Sequence, residues 1–174
     1  MHADAKPGPI QAHILMGSDS DWESMVKCHE LLSELGVSHD VNVASAHRTP
    51  EKVLRIVREG PERGVKVFIC AAGMAAHLAG VVAAHSRVPV IGVPMGAGMM
   101  DGLDSLLSTV QMPPGVPVAT VGVGSAGAKN AAVLAAQIIA LTDGGLAQRL
   151  AEWRSKQSEV VEQKDAGLRK SLKK

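Results

Sequence analysis

The chain has 174 residues, 46% of them hydrophobic and only 2% aromatic, with a formal net charge of +1. That length suits one domain closed around a single core, filled here by Ala, Val, Leu, Ile and Met, and side chains this small favour close packing and contact between subunits. The near-neutral charge argues against a dedicated nucleic-acid binder, Cys28 and Cys70 form no cluster that would suggest a disulfide framework or a zinc site, and no apolar run reaches membrane-spanning length.

Taken in order, the stretch MHADAKPGPIQ (1–11) has no apolar signal core, so a soluble cytoplasmic protein is expected. AHILM (12–16) reads as a strand and DWESMVKCHELLSEL (21–35) as a helix. VSHDVNVAS (37–45) is the second strand and PEKVLRIVREG (50–60) the second helix. VKVFICAAG (65–73) and VPVIGVP (88–94) are strands on either side of a helix at AAHLAGVVAAHS (75–86). DSLLSTVQ (104–111) is helical and VPVATVGVG (116–124) is the last strand. Two helices follow, AKNAAVLAAQIIAL (128–141) and LAQRLAEWRSKQSEVVEQ (146–163). The reading is a single domain over 1–164 and a loose, solvated basic tail over 165–174.

Most of the strands are continuously apolar, as parallel strands covered on both faces must be. The alternation therefore predicts an α/β fold with a parallel sheet and right-handed crossovers. In such sheets a ligand sits beyond the carboxyl ends of the strands, where the strand order reverses. For a five-stranded order 2-1-3-4-5 the loops after strands 1, 2 and 3 meet there. Those loops are GSDSD, SAHRTP and AAGMAAHLAG.

The first loop opens a helix, whose free N–H groups and dipole attract anions, and Ser18 and Ser20 add hydroxyl donors. For the isolated motif the plainer reading makes Ser20 or Asp21 an N-cap. The second loop supplies a fixed positive charge: Arg48 grips phosphate oxygens and offsets Asp19 and Asp21. Thr49 and Pro50 fit the N-cap and first position of the next helix, which pins His47 and Arg48 at the rim of the sheet. Histidine titrates near neutrality, so His47 is the natural proton carrier. The third loop is small and apolar apart from His77, which either meets the ligand or bonds a backbone group beneath the site.

Two further signals are discounted. GVGSAG (122–127) fits a dinucleotide fingerprint but follows the last strand instead of the first, so a tight turn before an Ala-rich helix explains it better. CHE (28–30) lies mid-helix with its side chains pointing in different directions, which disfavours metal binding. A flavodoxin-like electron carrier is also disfavoured, because almost no aromatic residue exists to stack on a flavin.

The segments MGSDSDW, SAHRTP, AAHLAG, GVPM, GLDSLLSTVQMPPGVPVATV and AGAKNAAVLAAQI together resemble the PurE family of purine biosynthesis, in register from about residue 12 to residue 154. The resemblance is to its class I members, the 5-(carboxyamino)imidazole ribonucleotide mutases, and implies a flavodoxin-like three-layer α/β/α sandwich and a homo-octamer. Those enzymes move a carboxylate from the exocyclic nitrogen of a ribonucleotide to a ring carbon, with neither metal nor organic cofactor.

The resemblance implies that Ser18, Ser20 and Arg48 bind the phosphate and Asp21 the ribose hydroxyls, with Asp19 at a variable, solvent-facing position. Phosphate and diol are adjacent on one ligand, so an anion cradle and a carboxylate belong side by side. His47 matches the catalytic histidine, Ser45 lies near the substrate carboxylate, and Gly73, Ala75, Ala76 and Leu78 wall a dry pocket that retains carbon dioxide. Gly17, Ala46, Met74 and His77 complete the expected contacts. The chain departs from the family's usual GGAAHLPG at Met74 and Ala79, and GAGMMD (96–101) is less polar than its class I counterparts. The alternatives are a class II carboxylase using free carbon dioxide, whose members usually carry lysine where Arg48 stands, and a non-catalytic nucleotide-monophosphate binder. The helices at 128–141 and 146–163 are the expected assembly surfaces.

Overall fold

In the computed structural model, which describes residues 9–96 and 100–172, a five-stranded parallel sheet runs in the order β2-β1-β3-β4-β5. The strands are β1 Ala12–Met16, β2 His39–Val43, β3 Val67–Ala72, β4 Val90–Pro94 and β5 Ala119–Thr120. The helices are α1 Trp22–Glu34, α2 Pro50–Glu59, α3 Leu78–His85, α4 Leu103–Val110, α5 Gly124–Ala140 and α6 Gly144–Leu172. This is the expected α/β architecture and strand order, with the reversal between β1 and β3. Residues 97–99 of the GAGMMD segment lie outside the described residues.

Side chains alternate across each strand, so the sheet feeds two apolar cores. Ile14, Met16, Ile69, Ala71 and Val93 pack against α1 and α5 on one face. Leu15, Phe68, Cys70 and Val90 pack against α2 and α3 on the other. Burial pushes the Cys28 thiol up to about 12 and raises that of Cys70 as well, so both cysteines are inert core residues. The CHE side chains do diverge: Cys28 enters the core, His29 meets His39 and Glu30 pairs with Lys27 at 2.9 Å.

Polar groups interrupt the core beside β2. His13 is fully buried and its Nε2 lies 2.8 Å from Asn42 Oδ1. Burial lowers its pKa below 6.5, although the Asn42 bond and the Asp40 charge pull the other way. His39 is lowered by burial too; its Nδ1 lies 2.8 Å from the Val37 carbonyl and its Nε2 2.8 Å from His29 Nδ1.

Three boundaries differ from the sequence expectation. The strand expected over 116–124 shrinks to two paired residues, because prolines and glycines surround it. Gly124, at φ 68°, then starts α5 four residues before the expected position. Within GVGSAG, Gly127 serves packing: a Cβ there would overlap the carbonyl oxygen of Gly122. Finally, the segment expected to be loose continues α6 to Leu172, where Asp165 and Arg169 pair at 2.8 Å one turn apart. Its residues are predominantly good helix formers, and every one from Arg154 to Leu172 is exposed.

On α5, one of the expected assembly surfaces, part of the apolar face is taken up internally. Ala128, Ala131, Ala132, Ala135, Ala136 and Ile139 are consumed within the chain's own core. Exposed apolar side chains lie on α4, at Leu103, Leu107 and Val110, and along α6 at Val160, Val161, Leu168 and Leu172.

Candidate functional site

The three loops at the carboxyl ends of β1, β2 and β3 meet in one cleft of about 600 Å³. The first is shaped by reciprocal capping. Ser18 is extended (φ −145°, ψ 157°), and its hydroxyl oxygen accepts from the Ser20 N–H at 3.3 Å and the Ser20 hydroxyl at 2.9 Å. Asp21 reaches back to accept the Ser18 N–H at 3.1 Å. Ser18 therefore caps a single 3₁₀ turn that leads into α1, and Asp21 stands at the N-cap position of α1 without a side-chain cap bond there. Asp19 is exposed, as expected of it. Asp21 is 9% exposed, and burial raises its pKa even though the Ser18 N–H favours the carboxylate.

The second loop is clamped from within. Thr49 is the N-cap residue of α2, but its side chain makes no cap bond; its hydroxyl instead accepts the Ser45 N–H at 2.9 Å and donates to the Ser45 carbonyl at 3.2 Å. The Ser45 hydroxyl oxygen accepts the Arg48 N–H at 3.2 Å, leaving its own proton for a ligand. Pro50 begins α2 with a preset φ. His47 and Arg48 are thus held by backbone on both sides.

The third loop turns through two left-handed residues, Met74 at φ 58° and Ala76 at φ 43°, closed by the Ala76 N–H donating to Gly73 O at 3.0 Å. Met74 is 64% exposed at the cleft, and Ala79 is buried in the first turn of α3.

Side-chain hydrogen bonds link the loops to one another. Arg48 Nη2 donates to the carbonyl of Gly17 at 3.2 Å, joining the first and second. His47 Nε2 lies 2.7 Å from His77 Nδ1, with the rings 74° apart, joining the second and third. His77 therefore bonds the other histidine, not a backbone group beneath the site.

All of the candidate residues fall on this cleft. Gly17, Ser18, Ser20 and Asp21 form one wall; Ser45, Ala46, His47 and Arg48 form the rim; Gly73, Met74, Ala75, His77 and Leu78 form the other side, with Ala76 among them. Ala72 was not anticipated, and its only sequence signal is a small residue closing a strand beside Gly73. A trough of about 650 Å³ also runs along α2 between Lys52, Arg55, Arg58 and Glu59, but it is the solvent face of one helix and gathers no loops. Among the described residues no group of three or more His, Cys, Asp and Glu side chains is placed to hold a metal ion.

Topology and cleft together define a flavodoxin-like α/β protein with a three-loop cleft at its strand-order reversal. The family model for AIR carboxylase matches residues 11–160, and the chain belongs to that family. It is 49% identical over 162 residues to the N5-carboxyaminoimidazole ribonucleotide mutase of Escherichia coli K12, covering 92% of this chain and 96% of the relative. It is 51% identical over 148 residues to the enzyme of the same name from Bacillus subtilis, covering 85% and 91%. The crystal structure of Treponema denticola PurE superposes with a TM-score of 0.82 at 29% identity, covering 91% of this chain and 98% of that one.

Proposed function

We propose that this chain is an N5-carboxyaminoimidazole ribonucleotide mutase, the activity for which its relatives are named. The observation that carries the reading is the joining of three distant loops, through Arg48 to Gly17 and His47 to His77, around one cleft.

The ligand's phosphate is assigned to Ser18, Ser20, Arg48 and the adjoining helix start. Only one of the guanidinium's N–H groups is engaged among the described residues, so its remaining donors are available to phosphate oxygens. Asp21, whose second carboxylate oxygen is not needed for the cap, accepts from the ribose hydroxyls. The heterocycle then lies toward His47 and the third loop.

In the reaction the carbamate N–C bond breaks and its electron pair returns to nitrogen, which takes a proton from His47. The released carbon dioxide stays against the small walls of Gly73, Ala75 and Leu78. The electron-rich ring carbon attacks it, a C–C bond forms, and the ring carbon's proton passes to His47. The net change is an isomerisation with no proton gained or lost.

Class I chemistry is favoured over class II by Arg48, the residue at which the class II members usually carry lysine. We assign the protein to the cytoplasm and to a homo-octamer; among the described residues no helix is long and apolar enough to cross a membrane. The exposed row Leu103, Leu107 and Val110 supports association through α4.

The test incubates purified protein with the carbamate substrate and follows the carboxylated product by its absorbance. Turnover is expected, and a folded protein with none overturns the reading. Turnover of aminoimidazole ribonucleotide with carbon dioxide alone, faster than that of the carbamate, would assign class II instead. Monophosphate binding without chemistry, unaffected by His47→Asn, would identify a binding protein.

A further inference from the structure

We infer that His77 is the proton partner of His47, and that the two rings work as one acid–base unit instead of His47 working alone. The inference rests on the mutase reading and deepens it.

The observation is the bond itself. His47 Nε2 and His77 Nδ1 are 2.7 Å apart, a separation that requires one proton between them. The edge-to-face rings, with centroids 4.9 Å apart, direct a nitrogen of one at a nitrogen of the other. Among the described residues neither ring's second nitrogen has a hydrogen-bond partner, so the pair has two free ends, His47 Nδ1 and His77 Nε2.

A neutral imidazole carries one N–H and one bare nitrogen. When two neutral rings share one N–H···N bond, the second proton must sit at one end of the pair and leave the other end bare. If His77 donates the bridge, His47 Nδ1 holds a proton and His77 Nε2 is a base; if His47 donates, the roles reverse. The uncharged pair is therefore always one acid and one base, whichever tautomer it adopts.

The proposed reaction needs that combination. One proton goes to the exocyclic nitrogen as the N–C bond breaks, and one comes off the ring carbon after the C–C bond forms. The pair gives the first from its protonated end and takes the second at its bare end. Transfer of the bridging proton to the other ring then matches the new arrangement. Two N–H bonds exist before and after the step, and exchange of the two exposed ends with solvent restores the starting tautomer between turnovers. A single histidine would instead have to turn the same nitrogen from one reacting atom to the other.

The surroundings of His77 leave little else for it to do. It is exposed at the cleft, it starts α3 without a side-chain cap bond, and its hydrogen bond to His47 is its sole side-chain partner among the described residues. It fills no core and satisfies no buried group, so a structural purpose would have to be the orientation of His47 alone.

The experiment separates the two roles with His77→Asn and His77→Ala, assayed beside the wild type on the carbamate substrate. An asparagine amide can hydrogen-bond to an imidazole but cannot pass a proton on. Circular dichroism and Trp22 fluorescence on binding aminoimidazole ribonucleotide confirm folding and an intact site. Both variants are expected to lose about 100-fold or more in kcat, the scale of general acid–base catalysis, with KM within about threefold. If His77→Asn keeps more than a tenth of the wild-type kcat, a mere hydrogen-bond partner suffices and the relay is overturned. A loss confined to KM overturns it equally. Wild-type protein that fails to turn over would remove the mutase reading itself, whereas an active wild type with an active His77→Asn variant removes only the relay.

Discussion

Arg48→Ala tests the phosphate assignment most directly. In the free protein the guanidinium makes one hydrogen bond, 3.2 Å to the carbonyl of Gly17, and the residue is exposed. Losing a bond of that kind costs about 0.5–1 kcal/mol of stability, since water replaces the donor at an open carbonyl. The effect on binding is larger, because a hydrogen bond to a charged partner contributes about 1.5–3 kcal/mol. At 1.4 kcal/mol per decade, the dissociation constant of aminoimidazole ribonucleotide should rise about 10- to 150-fold. Trp22, adjacent to Asp21 and 38% exposed, provides a fluorescence signal for the titration. The decisive comparison uses the same ligand without its phosphate: the riboside should bind wild type and variant alike, so the loss appears only with the monophosphate. The loss should also shrink as salt is raised, because exposed charges are screened. Equal weakening of riboside and ribonucleotide would refute the assignment and make Arg48 a brace for the loop.

Three other changes probe the fold and the site. Gly127→Ala drives a methyl into the backbone oxygen of Gly122; overpacking costs about 1–3 kcal/mol, and urea unfolding should show a net loss of about 2 kcal/mol, with unchanged stability refuting the close approach. Asp21→Asn removes a carboxylate that burial makes harder to ionise, so the unliganded fold should be as stable or more stable above the ordinary carboxylate range, while ribonucleotide affinity falls about tenfold; preserved affinity would detach Asp21 from the ribose. Burial lowers the pKa of His13 and His39 below the usual 6.5, so the unfolded chain takes up protons first as pH falls. Stability should be flat above pH ~7.5 and decline from pH ~6.5 downward by at most about 1.4 kcal/mol per pH unit for each imidazole, and His13→Gln should flatten that decline.

The parts of the molecule that could be read from the residues are those where one local rule decides. Continuous apolar runs located most strands of the sheet, and a short loop ahead of a helix start located each arm of the cleft. Two of the boundaries that moved lie around β5 and α5: prolines and glycines cut the last strand to two residues, and Gly124 at φ 68° begins α5, with Gly127 packed against Gly122 in a contact that composition does not reveal. The apolar face of α5 looked free in the sequence because nothing there shows that α1 and the sheet consume it.

The third loop joins both cases. The resemblance marks glycine as usual at 74, and the backbone there is left-handed at φ 58°, a conformation that glycine adopts freely and methionine only at a cost of about 1–2 kcal/mol. The methionine has not changed the path of the loop. Its 64% exposed side chain lines the cleft, which Gly73, Ala75 and Leu78 also line. The strain is held by the Ala76-to-Gly73 turn and by α3, which also carries His77 to its partner ring. The same segment thus sets the shape of the gas-retaining wall and the reach of the second imidazole, so the two aspects of the proposed chemistry depend on one turn.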